Sequence, residues 1–318
     1  MNPAPPLRLV FMGTPDFAAT TLSALLGGED RVVLAVSQPD RPQGRGRHLA
    51  ATPVKEVALA HGVPVAQPES PKDEDFLRRI AEIAPDAIIA VAYGRILPPA
   101  LLALPPLGCL NVHASLLPAH RGAAPVQWSI INGETETGVS IMKMDAGLDT
   151  GDVLLQKTMR PAADETSASL LPKLAALGAA ALLETLTLLK AGGLAAAKQD
   201  NSRASWAPPL KKEDGLIDWS RPAKELHCLV RGLDPWPTAF SYLDGKKLQL
   251  FAPQVVYQSA SQPPGTVLFA DKRGLLVACG QNCLLFHEIQ APGKKRLPIS
   301  SFLCGQKIAP LSRFASTP

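Results

Sequence analysis

Cysteine is scarce in this chain. Its 318 residues contain five (Cys109, Cys228, Cys279, Cys283 and Cys304), with no C-x-x-C pair and no histidine in metal-ligand rhythm beside the tightest spacing. That argues against a zinc site or a disulfide framework and predicts reduced thiols and no bound metal. A long apolar run is missing from the N-terminal region: Met1–Pro6 is polar and proline-rich, and Leu9–Met12 is too short for a signal peptide or a spanning helix. A soluble, cytoplasmic protein without membrane attachment is therefore expected. The turn Gly13-Thr14-Pro15-Asp16 lacks the G-x-G-x-x-G spacing that brings a pyrophosphate onto a helix end, which leaves a nicotinamide or flavin cofactor without support. Internal repeats and long low-complexity tracts are absent too.

What is present reads as a folded protein of two domains. Hydrophobic residues make up 46% and charged residues 19%, ordinary for a globular chain, and 318 residues exceed what one core usually holds. Strand and helix signals alternate from Leu7 onward: strands near 7–12, 32–37, 63–66, 87–92 and 110–112, with helices near 17–26, 54–61, 74–83 and 99–102. Such alternation implies an α/β fold with a mostly parallel sheet. Strands near 139–143 and 153–157 and a long Ala/Leu-rich helix over 167–189 follow, the helix stopped by Gly192-Gly193. Residues 194–208 shift to Ala, Lys, Gln, Ser and Pro and read as a linker. The expected division is 1–193, linker 194–208 and 209–318, the last with short β-type runs at 248–257, 266–269, 275–278 and 283–289 that suggest a small OB-like barrel.

Charge is unevenly distributed. Residues 209–318 carry fourteen Lys and Arg against eight Asp and Glu, a net +6 within a chain of net +4. A basic second half points to an anionic partner, with Lys246, Lys247, Lys294, Lys295 and Arg296 as candidate phosphate contacts. A second cationic stretch, Gln38 to His48, holds Arg41, Arg45 and Arg47 interleaved with two glycines and one acid. It reads as a mobile, exposed loop. Such arginines can approach a phosphate backbone closely, and Arg45, between two glycines, has the closest access.

The most informative stretch runs from Cys109 to Pro125. Asn111 and His113 lie two apart on a strand and so share a face, at the point where Ser115, Pro118 and Arg121-Gly122 turn the strand into a loop. In an open α/β sheet that end is where ligands bind. Alone, such a pair reads as core polar groups satisfied by backbone. Asp145 and Asp149, set among glycines, read equally well as turn residues. The triplet Asp149-Thr150-Gly151 occurs once, whereas the aspartic-protease motif needs two carboxylates sharing a proton. An amide, an imidazole and a later carboxylate, without an obvious Ser or Cys nucleophile motif or metal ligands, suit a direct acyl-type transfer.

Taken together, Asn111-Val112-His113, Ser115-Leu116-Leu117-Pro118, Arg121-Gly122-Ala123-Ala124-Pro125 and Gly147-Leu148-Asp149-Thr150-Gly151 resemble the folate-dependent formyltransferases. The arginine loop, Asp234-Pro235-Trp236-Pro237 and the basic second half are similar to the branch of that family that acts on methionyl-tRNA. The resemblance implies a Rossmann-like catalytic domain followed by an OB-like one, 10-formyltetrahydrofolate as formyl donor, initiator methionyl-tRNA as acceptor, and no metal; a monomer is expected. It also implies a catalytic trio of Asn111, His113 and Asp149. The folate contacts it implies are Ser115, Leu116, Leu117 and Pro118, with Tyr93, Gly94, Arg95, Ile96 and Leu97 and the 145–150 loop, including Asp145 and Gly147, framing the pterin. Two alternatives stay open: the same chemistry on a nucleotide sugar or glycinamide ribonucleotide, and a nucleic-acid-binding protein with an inactive transferase domain. The two cationic stretches argue against the first, and the intact trio against the second.

Overall fold

The computed structural model describes residues 5–43 and 48–317. Two compact units emerge: Met1–Gly122 with Glu136–Arg160 and Leu171–Ala207, and Ala123–Thr135 with Pro161–Leu170 and Pro208–Pro318.

In the first unit one sheet carries the candidate site. Its strands are β1 (Arg8–Gly13), β2 (Arg31–Val36), β3 (Val65–Ala66), β4 (Ala87–Val91), β5 (Cys109–His113), β6 (Thr137–Lys143) and β7 (Val153–Met159). They lie in the order β3-β2-β1-β4-β5-β6-β7. Neighbours are parallel from β3 to β5, while β6 and β7 run antiparallel. β4 is buried at every position, as a doubly covered parallel strand requires, whereas β7, at the sheet edge, is buried nowhere along its length. The helices between the parallel strands are α1 (Asp16–Leu26), α2 (Pro53–Ala60), α3 (Glu74–Ile83) and α4 (Pro99–Leu102). Side chains of Thr52 and Asp73 cap α2 and α3 by accepting from the amides of Lys55 and Phe76. This strand order reverses direction between β1 and β4, so the crevice outside the carboxyl ends there is the expected ligand position.

Helix α5 (Ser167–Lys190) is long and apolar enough to cross a membrane by length and composition, with half of its most apolar window buried inside the protein. Leu174, Ala175, Ala179, Leu182 and Leu186 form its buried stripe. Gly178 lies against β5, where a Cβ would come within 2.7 Å of the Val112 methyl. The helix therefore braces the back of the strand whose other face carries Asn111 and His113. The 38–48 stretch, expected as a loop, instead contains short strand residues, with Arg41–Gln43 pairing antiparallel with His48–Ala50.

The second unit contains the small antiparallel barrel: β8 (Phe240–Leu243), β9 (Lys246–Val256), β10 (Val267–Asp271), β11 (Gly274–Ala278) and β12 (Cys283–Gln290), ordered β8-β9-β12-β11-β10. The C-terminal segment links the sheet's two edges: Val267 of β10 exchanges 2.8 Å bonds with Leu311 and Ser312, and Tyr242 of β8 pairs with Ala315. Pairing both edges removes open strand ends that would otherwise recruit other chains. Inside, Trp219 meets Phe286 edge-to-face and Phe314 in a tilted contact, and donates its indole N–H to Ser241 Oγ at 3.0 Å. Short β8 and the closing segment escaped sequence reading because neither carries a run of alternating apolar residues.

Candidate active site

Strand β5 sets the geometry. Asn111 lies between Ala90 of β4 and Met142 of β6, and His113 lies opposite Ser140 of β6. His113 is 6% exposed and Asn111 half-buried. Asp149 reaches them from the loop after β6, with φ of 54°, a left-handed conformation that Asp tolerates better than most residues. Its Oδ2 accepts the Gly122 N–H at 2.9 Å and stands 3.7 Å from His113 Nδ1. Its Oδ1 lies 3.5 Å from the Asn111 amide nitrogen, a separation at which little hydrogen-bond energy is made. His113 Nε2–H donates to the His120 carbonyl at 2.9 Å, so both ring nitrogens face oxygen acceptors. An amide donor, an imidazole and a carboxylate thus meet at one sheet end.

The adjoining loops are fixed by polar side chains from neighbouring strands. Ser140 Oγ donates to the Ser115 carbonyl at 2.7 Å and accepts the Leu117 amide at 3.0 Å, while Gln156 donates to the Leu117 carbonyl at 2.8 Å. Ser115 Oγ closes the Ser115–Pro118 loop by donating to the Ala119 carbonyl at 2.6 Å. In the following loop the two aspartates separate in role. The Asp145 carboxylate is committed to its own turn, accepting from Gly147 N at 2.9 Å and Thr150 Oγ1 at 2.7 Å. Only glycine fits at 147, because a Cβ would lie 2.0 Å from Thr150 Oγ1.

Opposite lies the 93–97 loop. Tyr93 and Leu97 are buried anchors, Gly94 has φ of 83° with open space where a Cβ would stand, and Ile96 projects with 75% exposure. Burial raises the Tyr93 phenol above its ordinary range, opposed by nearby Arg95. The Tyr93 carbonyl accepts Thr14 Oγ1 and Gln38 Nε2, and Arg95 Nε donates to Gln38 Oε1. Thr14, Gln38 and Gly94 follow the ends of β1, β2 and β4 and, with Pro39, Arg41, Ala50 and Thr52, line a cleft of about 290 Å³ at the topological switch point.

Two residues to which the sequence assigned no role complete the site. Arg121, 4% exposed, donates to Gln199 Oε1 at 2.7 and 3.0 Å and to Asn201 Oδ1 at 2.8 Å. Gln199 Nε2 in turn donates to the carbonyls of Asp149 at 2.9 Å and Gly151 at 2.7 Å. Nothing in the local composition around Gln199 signals this.

The candidate phosphate contacts differ among themselves. Arg41 is exposed in its short strand, while Arg45 and Arg47 lie outside the described residues. Lys246, Lys294 and Lys295 are exposed, the last two in the turn after β12. Lys247 packs its ammonium 3.5 Å from the Phe240 ring centroid. Arg296, although exposed, pairs with Asp234 at 2.9 Å and with Glu288, and its guanidinium lies 4.0 Å from the Phe251 centroid. Among the described residues no group of three or more His, Cys, Asp or Glu is arranged to hold a metal ion.

Residues 7–186 match the formyl transferase family and residues 209–307 its C-terminal domain. The chain is 56% identical to the methionyl-tRNA formyltransferase of Desulfotalea psychrophila over 302 residues, 95% of this chain and 94% of that protein. Among solved structures it is similar to the N-formyltransferase of Helicobacter canadensis in complex with folinic acid and dTDP-3-aminofucose (TM-score 0.66, 14% identity, 92% of this chain and 100% of that one). It is also similar to HypX of Aquifex aeolicus in complex with tetrahydrofolic acid (TM-score 0.62, 20% identity, 93% of this chain); this chain spans 47% of HypX. At these identities the two structures establish the shared fold.

Proposed function

The chain belongs to the formyl transferase family, and from that premise we propose that it moves the formyl group of 10-formyltetrahydrofolate to the α-amino group of methionine on initiator methionyl-tRNA. The observation that carries the reading is the meeting of Asn111, His113 and Asp149 at the carboxyl end of β5. Attack by the amine turns the formyl carbon tetrahedral and places negative charge on its oxygen. Asn111, whose amide is only loosely engaged, donates to that oxygen. His113 donates as well once its Nε2–H exchanges the His120 carbonyl for the oxyanion, while the Asp149 carboxylate beside Nδ1 orients the ring. The amine proton passes through water to the folate nitrogen, which leaves as a neutral amine when its bond to the formyl carbon breaks. No covalent bond to the enzyme forms.

Two exposed apolar side chains support the folate position. Ile96, at 75% exposure, and Leu148, at 51%, project from the two loops that would frame the pterin. Flat heterocycles favour such apolar contacts with backbone groups nearby. We assign Ser115–Pro118, Tyr93–Leu97, Asp145 and Gly147 to the folate, and Arg41, Arg45, Arg47, Lys246, Lys247, Lys294 and Lys295 to the tRNA. Arg296 shapes that surface more than it charges it, since two carboxylates already neutralise it. We assign catalysis to the 1–193 domain and tRNA binding to 209–318; most of the intervening 194–208 segment packs with the first unit, while Ala123–Thr135 and Pro161–Leu170 group with the second. We assign the protein to the cytoplasm as a monomer. The test offers formyl-labelled folate together with charged initiator tRNA, elongator tRNA, an amino sugar nucleotide and glycinamide ribonucleotide. Label on the initiator's methionine alone is expected, and preferential label on a small acceptor overturns the assignment.

A further inference from the structure

The segment after α5 has the composition of a connector, yet it is hydrogen-bonded into the site along much of its length. Ala197 exchanges backbone bonds of 2.8 and 2.9 Å with Val153. Ser205 receives the His120 amide on its hydroxyl at 2.9 Å and the Arg121 amide on its carbonyl at 2.9 Å. Trp206 and Ala207 then pair in parallel with Arg121 and Gly122. At Gly122, φ is 125° and a Cβ would lie 2.6 Å from the Ala207 carbonyl, so only glycine admits this approach. Gly122 is also the residue whose N–H holds the Asp149 carboxylate.

Between these attachments sits Gln199. Its amide nitrogen spans the carbonyls of Asp149 and Gly151, which bracket Thr150 immediately after the Asp149 Cα. Its amide oxygen is held in turn by the buried Arg121 guanidinium. Asp149 is in the left-handed region, a conformation that persists where the surroundings impose it. One side chain therefore clasps the backbone of the carboxylate-bearing turn, and its own orientation is fixed from behind.

We propose that Gln199 is a positioning residue for formyl transfer: through its two carbonyl contacts, and fastened by Arg121, it holds Asp149 where the carboxylate faces both Asn111 and His113. The proposal rests on the catalytic reading of that trio. It makes the 194–208 segment a strap over the site, with Gln199 acting only through Asp149.

The discriminating variant is Gln199→Glu. It keeps an oxygen for Arg121, so the buried cation stays paired and folding is preserved, but it replaces the donor to the two carbonyls with a second acceptor. Steady-state formylation of methionyl initiator tRNA is compared for wild type, Gln199→Glu, Asp149→Asn and the double variant, alongside thermal midpoints. For Gln199→Glu the turnover number falls roughly 10- to 100-fold, the loss that small misplacements of reacting groups produce, with KM for both substrates within about threefold and a near-native midpoint. The double variant is no slower than Asp149→Asn, because a residue acting through Asp149 has nothing left to position. Wild-type turnover in Gln199→Glu, or losses that multiply in the double variant, overturns the proposal while leaving the trio intact. Full activity in Asp149→Asn removes the trio reading and this proposal with it. A Gln199→Glu protein that fails to fold is replaced by Gln199→Leu, held to the same non-additivity criterion.

Discussion

The two units solve opposite problems with polar side chains. Around β5 nearly every polar group is cross-linked: Ser140 and Gln156 to the Ser115–Pro118 loop, Gln199 and Gly122 to Asp149, Arg121 to Gln199 and Asn201. On the barrel the fold rests on an apolar interior, and cations such as Lys294 and Lys295 stand exposed at a turn. Bond-making tolerates little displacement, so its groups are held from several sides. Contacts to phosphates work from many geometries and need only charge within reach.

The sharpest way to break that contrast is at the oxyanion donor. Asn111→Ala is expected to lower turnover by about 10²- to 10³-fold, equivalent to roughly 3–4 kcal/mol of transition-state stabilisation, with folate affinity nearly unchanged by equilibrium titration. Next comes the brace behind the strand. Gly178→Val drives a side chain into Val112, and denaturant unfolding should register about 1–3 kcal/mol of destabilisation, the usual cost of overpacking. Turnover of the folded fraction should fall as well, since β5 carries the reacting pair.

Much of this was legible in the sequence. The β-α alternation, the shared face of Asn111 and His113, and the barrel runs all appear as local periodicity, which strands and helices write into the chain. The motif around Asp149 marked a site, but separating Asp145 from Asp149 required the turn hydrogen bonds of Asp145. Gln199 was illegible for a different reason: its partners lie 48 to 78 residues away, and nothing in its neighbours encodes a contact of that range. The closing pairs between residues 311–315 and β8 and β10 are long-range in the same way.

Smaller effects sharpen the barrel side. Replacing Lys294 and Lys295 together with alanine should weaken binding of initiator and elongator tRNA alike, and lower the slope of log affinity against log salt by about 1 to 2, as lost phosphate contacts do. Arg296→Ala should change that slope less, because Asp234 and Glu288 already balance its charge. Acid provides a further test. Burial and the neighbouring Arg231 push His227 down to about 4, opposed by Asp164. An unfolded histidine titrates near 6.5, so the unfolded chain binds more protons between those values, and His227's contribution to stability is lost as pH falls from about 6.5 through 4. Thermal midpoints of His227→Gln across that window should fall less steeply than those of the wild type.

The contrast between a fixed site and a tolerant surface is tested most directly by single-turnover formylation with both substrates saturating, comparing Asp149→Asn with the Lys294 and Lys295 double variant. The account predicts that Asp149→Asn loses rate by about 100-fold or more, as a lost active-site charge does, while the lysine variant reaches the wild-type rate once tRNA saturates it. A wild-type rate in Asp149→Asn, or a saturated rate that collapses in the lysine variant, would contradict it.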